Sequence, residues 1–201
     1  MSPRVLIALL VAAAAALAAV VAVAIANVHR SATATSADQI FDGALMPPGV
    51  RAPDFVLHDQ YGRPVSERQY LGRPVVVTFL YTTCKNSCPA EAQQIKGAFD
   101  DLGHDLPALA ISVDPGNDTP ANARKFLDEQ GMTDRIRFVL GTRRELAPLW
   151  HGYAVTPQTP HAEHMALIVL VDRHGVMRVT YPQSQTTPER LAHDLRLLER
   201  E

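Results

Sequence analysis

The sequence predicts an α/β domain on a mixed sheet, parallel at its centre and antiparallel at one edge. Three observations predict it. Apolar runs of strand length, Val75–Leu80, Leu106–Val113 and Met165–Val171, read as buried strands. Segments of helical period separate them. The turn Asp172-Arg173-His174-Gly175 folds the last run back on Val176–Tyr181 as a hairpin, with Gly175 where φ can be positive. The order strand, helix, strand, helix, strand, helix, hairpin, helix then gives the mixed sheet.

The chain has 201 residues, 47% of them hydrophobic. Much of that apolar content is at the start: Val5 to Ala26 is 22 residues without a charge. At about 1.5 Å per residue such a helix would cross a bilayer core of roughly 30 Å. Residues 5–26 therefore read as a transmembrane anchor behind a cytoplasmic tip, 1–4. The other reading is a cleaved signal peptide ending at Ala24-Ile25-Ala26. Arg4 ahead of the run favours a cytoplasmic N-terminus. In either case the bulk of the chain lies outside the cytoplasm, on the periplasmic or extracytoplasmic side, where disulfides are allowed. Residues 27–51 read as a linker, Ala/Ser/Thr-rich at first and then irregular, with Pro47-Pro48-Gly49 as a breaker. Residues 52–201 are one domain. The net charge of −2 offers no basic field for nucleic acid.

Within the domain, Phe55–Leu57 and Arg63–Val65 around His58–Gly62 suggest a small hairpin. Ser66 and Gln69 suggest a capping box. After the strand Val75–Leu80 comes a helix from Ala90 to Leu102, with Ala92, Ile95, Ala98 or Phe99 and Leu102 inward and Gly103 as its stop. Asp118-Thr119-Pro120 caps a helix to about Gln130. Ile136–Leu140 is a strand. Thr142 and Glu145 form a capping box for a helix whose apolar face is Leu146, Leu149, Trp150 and Tyr153. Val155–Glu163 is a loop with Pro157 and Pro160. Thr187-Pro188 caps the last helix, with Leu191, Leu195 and Leu198 inward.

The stretch with the most chemistry is Tyr81-Thr82-Thr83-Cys84-Lys85-Asn86-Ser87-Cys88-Pro89, which holds both cysteines of the chain. It joins a strand to a helix. Pro89 suits the first helical position, and Glu91 falls where a carboxylate meets the helix's positive end. Thiols at a helix N-terminus have depressed pKa values. A structural disulfide is the plainer reading, yet a loop this short adds little stability when closed. A spacing of three intervening residues differs from the two-residue gap of thioredoxin-type motifs, which mildly favours metal binding over redox work.

These residues resemble the Sco/SenC family in three places. Thr78-Phe79-Leu80-Tyr81 with the cysteine pair and Pro89 is the first. Ile111-Ser112-Val113-Asp114-Pro115 followed by Asp118-Thr119-Pro120 is the second. Glu163-His164 ahead of Asp172-Arg173-His174-Gly175 is the third. The resemblance spans about Ala52 to Leu198. It implies a thioredoxin-like fold tethered to a membrane by one N-terminal helix. It also implies copper binding through Cys84, Cys88 and His164, with Asp114 matching a family aspartate near the site. The implied work is assembly of the dinuclear copper site of cytochrome c oxidase, by copper delivery, by reduction of the target's cysteines, or both. The implied partners are the copper-site subunit or a similar cuproprotein, with a periplasmic copper donor or thiol reductant. Lys85, Glu163 and Met165 depart from the family pattern, and the ligand types are intact.

The donor chemistry agrees with that implication. Soft thiolates favour copper(I), and imidazole suits either copper state. Two sulfurs and one nitrogen make a trigonal set, whereas zinc would want a fourth ligand or water. His161 is a competing ligand, and His151 reads as packing. The alternatives are a thiol–disulfide oxidoreductase using Cys84 and Cys88 as its redox-active pair, and a thiol peroxidase. The peroxidase would use Thr82 two residues before an attacking Cys84, but the proline expected before it is missing.

Overall fold

The computed structural model describes residues 41–159 and 166–201, and before them only Pro3, Leu17 and Ala19. Phe41–Glu201 forms one compact unit. Its elements in chain order are β1 (Ala44–Leu45), β2 (Val56–His58), β3 (Pro64–Ser66), β4 (Val75–Leu80), α1 (Ser87–Leu102), β5 (Ala108–Ser112), α2 (Pro120–Glu129), β6 (Arg137–Val139), α3 (Arg143–Gly152), β7 (Leu167–Val171), β8 (Met177–Pro182) and α4 (Pro188–Arg200). Single 3-10 turns lie at Glu67–Tyr70 and Gln183–Gln185.

Six strands make the main sheet, in the order β1-β8-β7-β4-β5-β6. β4, β5 and β6 are parallel, while β7 runs antiparallel to β4 and β8 to β7. The mixed sheet is thus as expected, with the parallel strands forming one half of it. β2 and β3 form a separate hairpin. β4 is central and buried on both faces, which is why it reads as a continuous apolar run. Its alternate side chains go to opposite layers. Val76 and Leu80 join a core with α1, α2 and α4, through Ile95, Phe99, Phe126, Leu191 and Leu195. Val75, Val77 and Phe79 join a second core with α3 and the β2–β3 hairpin, through Leu57, Val65, Leu146 and Trp150.

The helix signals hold with small changes. Thr142 and Glu145 make the reciprocal capping box, and Thr187 caps α4 by accepting from the Arg190 N–H. Gly103 ends α1 at φ 79° and Gly175 takes the hairpin turn at φ 75°. Ser66 makes no side-chain cap bond, because it precedes a single 3-10 turn rather than an α-helix. The segment read as irregular before residue 52 contains β1, an edge strand paired with β8. Asp194 of α4 clasps this segment, accepting from the N–H groups of Asp42 and Gly43 and from the Tyr181 hydroxyl.

One part of the expected fold class is corrected. Among the described residues no helix is long and apolar enough to cross a membrane. The longest, α1, has 16 residues and is amphipathic, with one stripe buried on the sheet and exposed polar positions opposite. The run 5–26, expected as the transmembrane helix, lies outside the described residues apart from two isolated positions.

Candidate metal and dithiol site

The site is built where β4 ends and α1 begins. α1 starts at Ser87, three residues earlier than its apolar period indicates, so Cys88 lies inside the first helical turn and Pro89 follows it. The first four N–H groups of a helix lack intrahelical partners, so a proline here loses no bond. One of those free donors is used at once. The Cys88 N–H points at Cys84 Sγ, 3.2 Å away, and Ser87 Oγ lies 3.2 Å from the same sulfur. No disulfide joins the two cysteines, and both are buried, Cys84 7% and Cys88 0% exposed.

The two thiols are electrostatically unequal. A hydrogen bond from the Cys88 thiol holds Cys84 at about 4, from an ordinary 9.0. Burial opposes this, and donors from Ser87 and the backbone N–H groups of Cys88 and Asn86 add to it. The same bond, in which Cys88 keeps its proton, raises the Cys88 thiol, and burial raises it further. At neutral pH the pair is one thiolate and one thiol.

Asp118 shapes the turn from below. The sequence marks Asp118-Thr119-Pro120 as the start of α2, and within it Thr119 is the cap, accepting from the Asn122 N–H. Asp118 points inward, 6% exposed, and accepts from the Thr82 N–H at 2.7 Å, the Ser112 hydroxyl at 2.6 Å and the Asp114 N–H at 3.3 Å. It therefore ties the cysteine turn to the end of β5. Asp118→Ala would strand these donors, the Ser112 hydroxyl fully buried and the other two part-buried, and is expected to cost about 2–4 kcal/mol in urea unfolding. A cost below about 0.5 kcal/mol would mean water replaces the carboxylate.

Asp114, the aspartate expected near the site, lies in the turn after β5. Its Oδ2 accepts from Asn117 Nδ2 at 2.8 Å, and its backbone N–H shares Asp118 with Thr82. His164 lies outside the described residues, as do His161, Glu163 and Met165. The chain leading toward them is held at this end of the sheet, since the Gln158 N–H donates to the Val113 carbonyl at 3.0 Å. Thr82, the residue a peroxidase would need, gives its N–H to Asp118 and its hydroxyl to the Asn117 carbonyl at 3.5 Å. His151 follows Trp150 on α3, exposed; Trp150 Nε1 donates to the Ser112 carbonyl at 2.9 Å.

Sequence reading places Glu91 where a carboxylate meets the positive end of the helix. It is instead 1% exposed and faces β4, where Thr78 Oγ1 donates to its Oε1. The signal was available: Thr78 breaks an otherwise apolar strand, and an inward threonine needs a partner. Among the described residues another set of possible metal donors, Asp42, His193 and Asp194, gathers within 4.8 Å. It sits on α4 and the segment before β1, and its buried member is already engaged as the clasp on Asp42, Gly43 and Tyr181.

A family model described as SCO1/SenC matches residues 47–199. The solved structure of Bradyrhizobium japonicum ScoI with copper bound is 30% identical, with a TM-score of 0.63 over 74% of this chain and 99% of that one. Protein SenC of Rhodobacter capsulatus is 35% identical over 77 residues, 37% of this chain and 35% of that protein. The mitochondrial protein SCO1 of Saccharomyces cerevisiae is 27% identical over 135 residues, 65% of this chain and 45% of that protein. The matched part is thus less than half the length of either of these two relatives. The sheet order, the cysteine turn at the head of α1 and a match running across nearly all of the described domain lead to one conclusion: this chain belongs to the SCO1/SenC family.

Proposed function

We propose that this protein carries copper on Cys84, Cys88 and His164 and passes it to a copper-site protein, helping to assemble the dinuclear copper centre of cytochrome c oxidase. The observation that carries the reading is the cysteine pair. Two sulfurs at one helix start, one of them a thiolate well below neutral pH, are soft donors preorganised for copper(I). Copper here is cargo, and its release needs a site that can open.

The sheet register supports the third ligand. Ile168 lies opposite Thr78, and β7 runs antiparallel to β4. The chain therefore enters β7 at the end of the sheet where β4 runs into the cysteine turn, and His164 is four residues before Ile168. Asp114 keeps a supporting place through the hydrogen bond its N–H makes to Asp118. The exchange partners in this reading are a copper-site subunit or a similar cuproprotein and a copper donor or thiol reductant, met outside the cytoplasm beside a membrane.

A second reading, reduction of a target's cysteines, is favoured by the unequal thiols. A low-pKa attacking sulfur next to a protonated resolving sulfur is the arrangement thiol–disulfide exchange uses. The two readings share the pair and differ in their need for His164. The test is an anaerobic copper(I) titration of the reduced protein beside His164→Ala. The expected result is one copper bound, with affinity at least about tenfold weaker in the variant and an altered absorption spectrum. Unchanged stoichiometry, affinity and spectrum would remove the histidine from the site and leave the reductase reading.

A further inference from the structure

Glu91 is expensive for the fold and does little to hold it together. It lies on α1 three residues after Cys88, so the two side chains share a helix face. Oε1 accepts from Thr78 of β4. Oε2 is buried and, among the described residues, has no hydrogen-bond partner. An orphaned carboxylate oxygen in an apolar interior costs stability that an apolar pair at positions 78 and 91 would not. Thr78 is the polar side chain that β4 presents to it, between Val76 and Leu80 of the same layer. A buried carboxyl with one open oxygen, one helical turn from a thiol, is placed for proton transfer.

We propose that Glu91 is the proton acceptor for Cys88 when the two thiols close to a disulfide, directly or through one water. The inference rests on the reading of Cys84 and Cys88 as a reversible dithiol. The Cys84 thiolate attacks one sulfur of a partner disulfide. That bond breaks, a thiolate leaves, and Cys84 is held in a mixed disulfide. The Cys88 thiol gives its proton to the Glu91 carboxylate as its sulfur attacks Cys84 Sγ. The mixed bond breaks, and a second thiolate leaves. Two electrons pass from the cysteine pair to the partner disulfide, and the single thiol proton ends on Glu91. In the reverse direction the protonated Glu91 returns it to Cys88 as the pair is reduced. This role gives the unpartnered oxygen a use, since a fully hydrogen-bonded carboxylate would be a poorer base.

The test uses the reduced, metal-free full chain and an aromatic disulfide reagent whose released thiolate is coloured. The first release reports attack by Cys84, and the second reports closure by Cys88. Glu91→Gln is expected to slow the second release at pH 8 by about tenfold to a hundredfold, with the first unchanged within about twofold. Thr78→Val removes the hydrogen bond that favours the carboxylate, so the pH midpoint of the second release should move upward. It also decides the matter if Glu91→Gln does not fold. Equal second-phase rates, an unmoved midpoint, or loss of the first phase together with the second would overturn the proposal. Absence of any second release in the unaltered protein would overturn the dithiol reading, and this step with it.

Discussion

Between pH 4 and pH 8 the unaltered protein is expected to lose about 3 kcal/mol of stability relative to Glu91→Gln. Burial pushes the Glu91 carboxyl up to about 7 from 4.5, against the hydrogen bond from Thr78, with the Cys84 thiolate adding to the rise. A carboxyl whose folded value is raised is stabilising only while protonated. Its contribution is complete below the unfolded value of 4.5 and is lost as pH rises through about 7. At pH 8 both states are ionised, and the folded state alone bears the cost of a buried charge. Glutamine is uncharged throughout and keeps an oxygen for Thr78, so the two stability curves diverge across that window. Any cost of burying the amide N–H groups is a constant offset. Urea unfolding at intervals from pH 4 to 8 measures the divergence, and parallel curves would show that water reaches the carboxyl. Such a gain in stability from removing a buried charge, set beside slower disulfide closure, is the usual exchange between activity and stability at a working site.

Cys88→Ala is expected to return Cys84 toward its ordinary 9.0 from about 4. The leading cause of the low value is the thiol of Cys88, so alanine removes it and leaves Ser87 and the backbone donors. The thiolate absorbance of the reduced protein at pH 6 should fall at least about tenfold, because a sulfur titrating well above pH 6 is mostly protonated there. Copper(I) affinity should fall with it, one of two soft donors having gone. An ultraviolet titration of the thiolate checks the first effect. If Cys84 stays ionised down to about pH 4 in the variant, then the N-terminus of α1, not the second thiol, sets its acidity.

Much of the architecture is legible in the residues because its signals are local. β4 is six apolar residues in a row but for Thr78, and its burial on both faces follows from that composition. Thr142 with Glu145 and Thr187 with Pro188 announce helix starts through bonds made within four residues. The cysteine turn is legible for the same reason. The misread residues depend on distant partners. Asp118 stands inside the Asp-Thr-Pro signature that starts α2, which does not tell that its carboxylate accepts from Thr82, thirty-six positions earlier in the chain. Glu91 looks like an acid at the helix's positive end, and packing of α1 on β4 buries it against Thr78. β1 is two residues long, too short for any period to show, and exists because β8 offers it an edge.

By itself the sequence determined that strands and helices alternate in this order and that two soft sulfurs stand at a strand-to-helix turn. Apolar period, caps and spacing act between neighbours, so they survive in a list of residues. Only the tertiary structure decided that these sulfurs are unequal, that Asp118 braces their turn from beneath, and that a carboxyl is shut in behind Cys88. Hydrogen-bond partnership and exclusion of water arise when separate segments pack together, and no single stretch of chain carries either one.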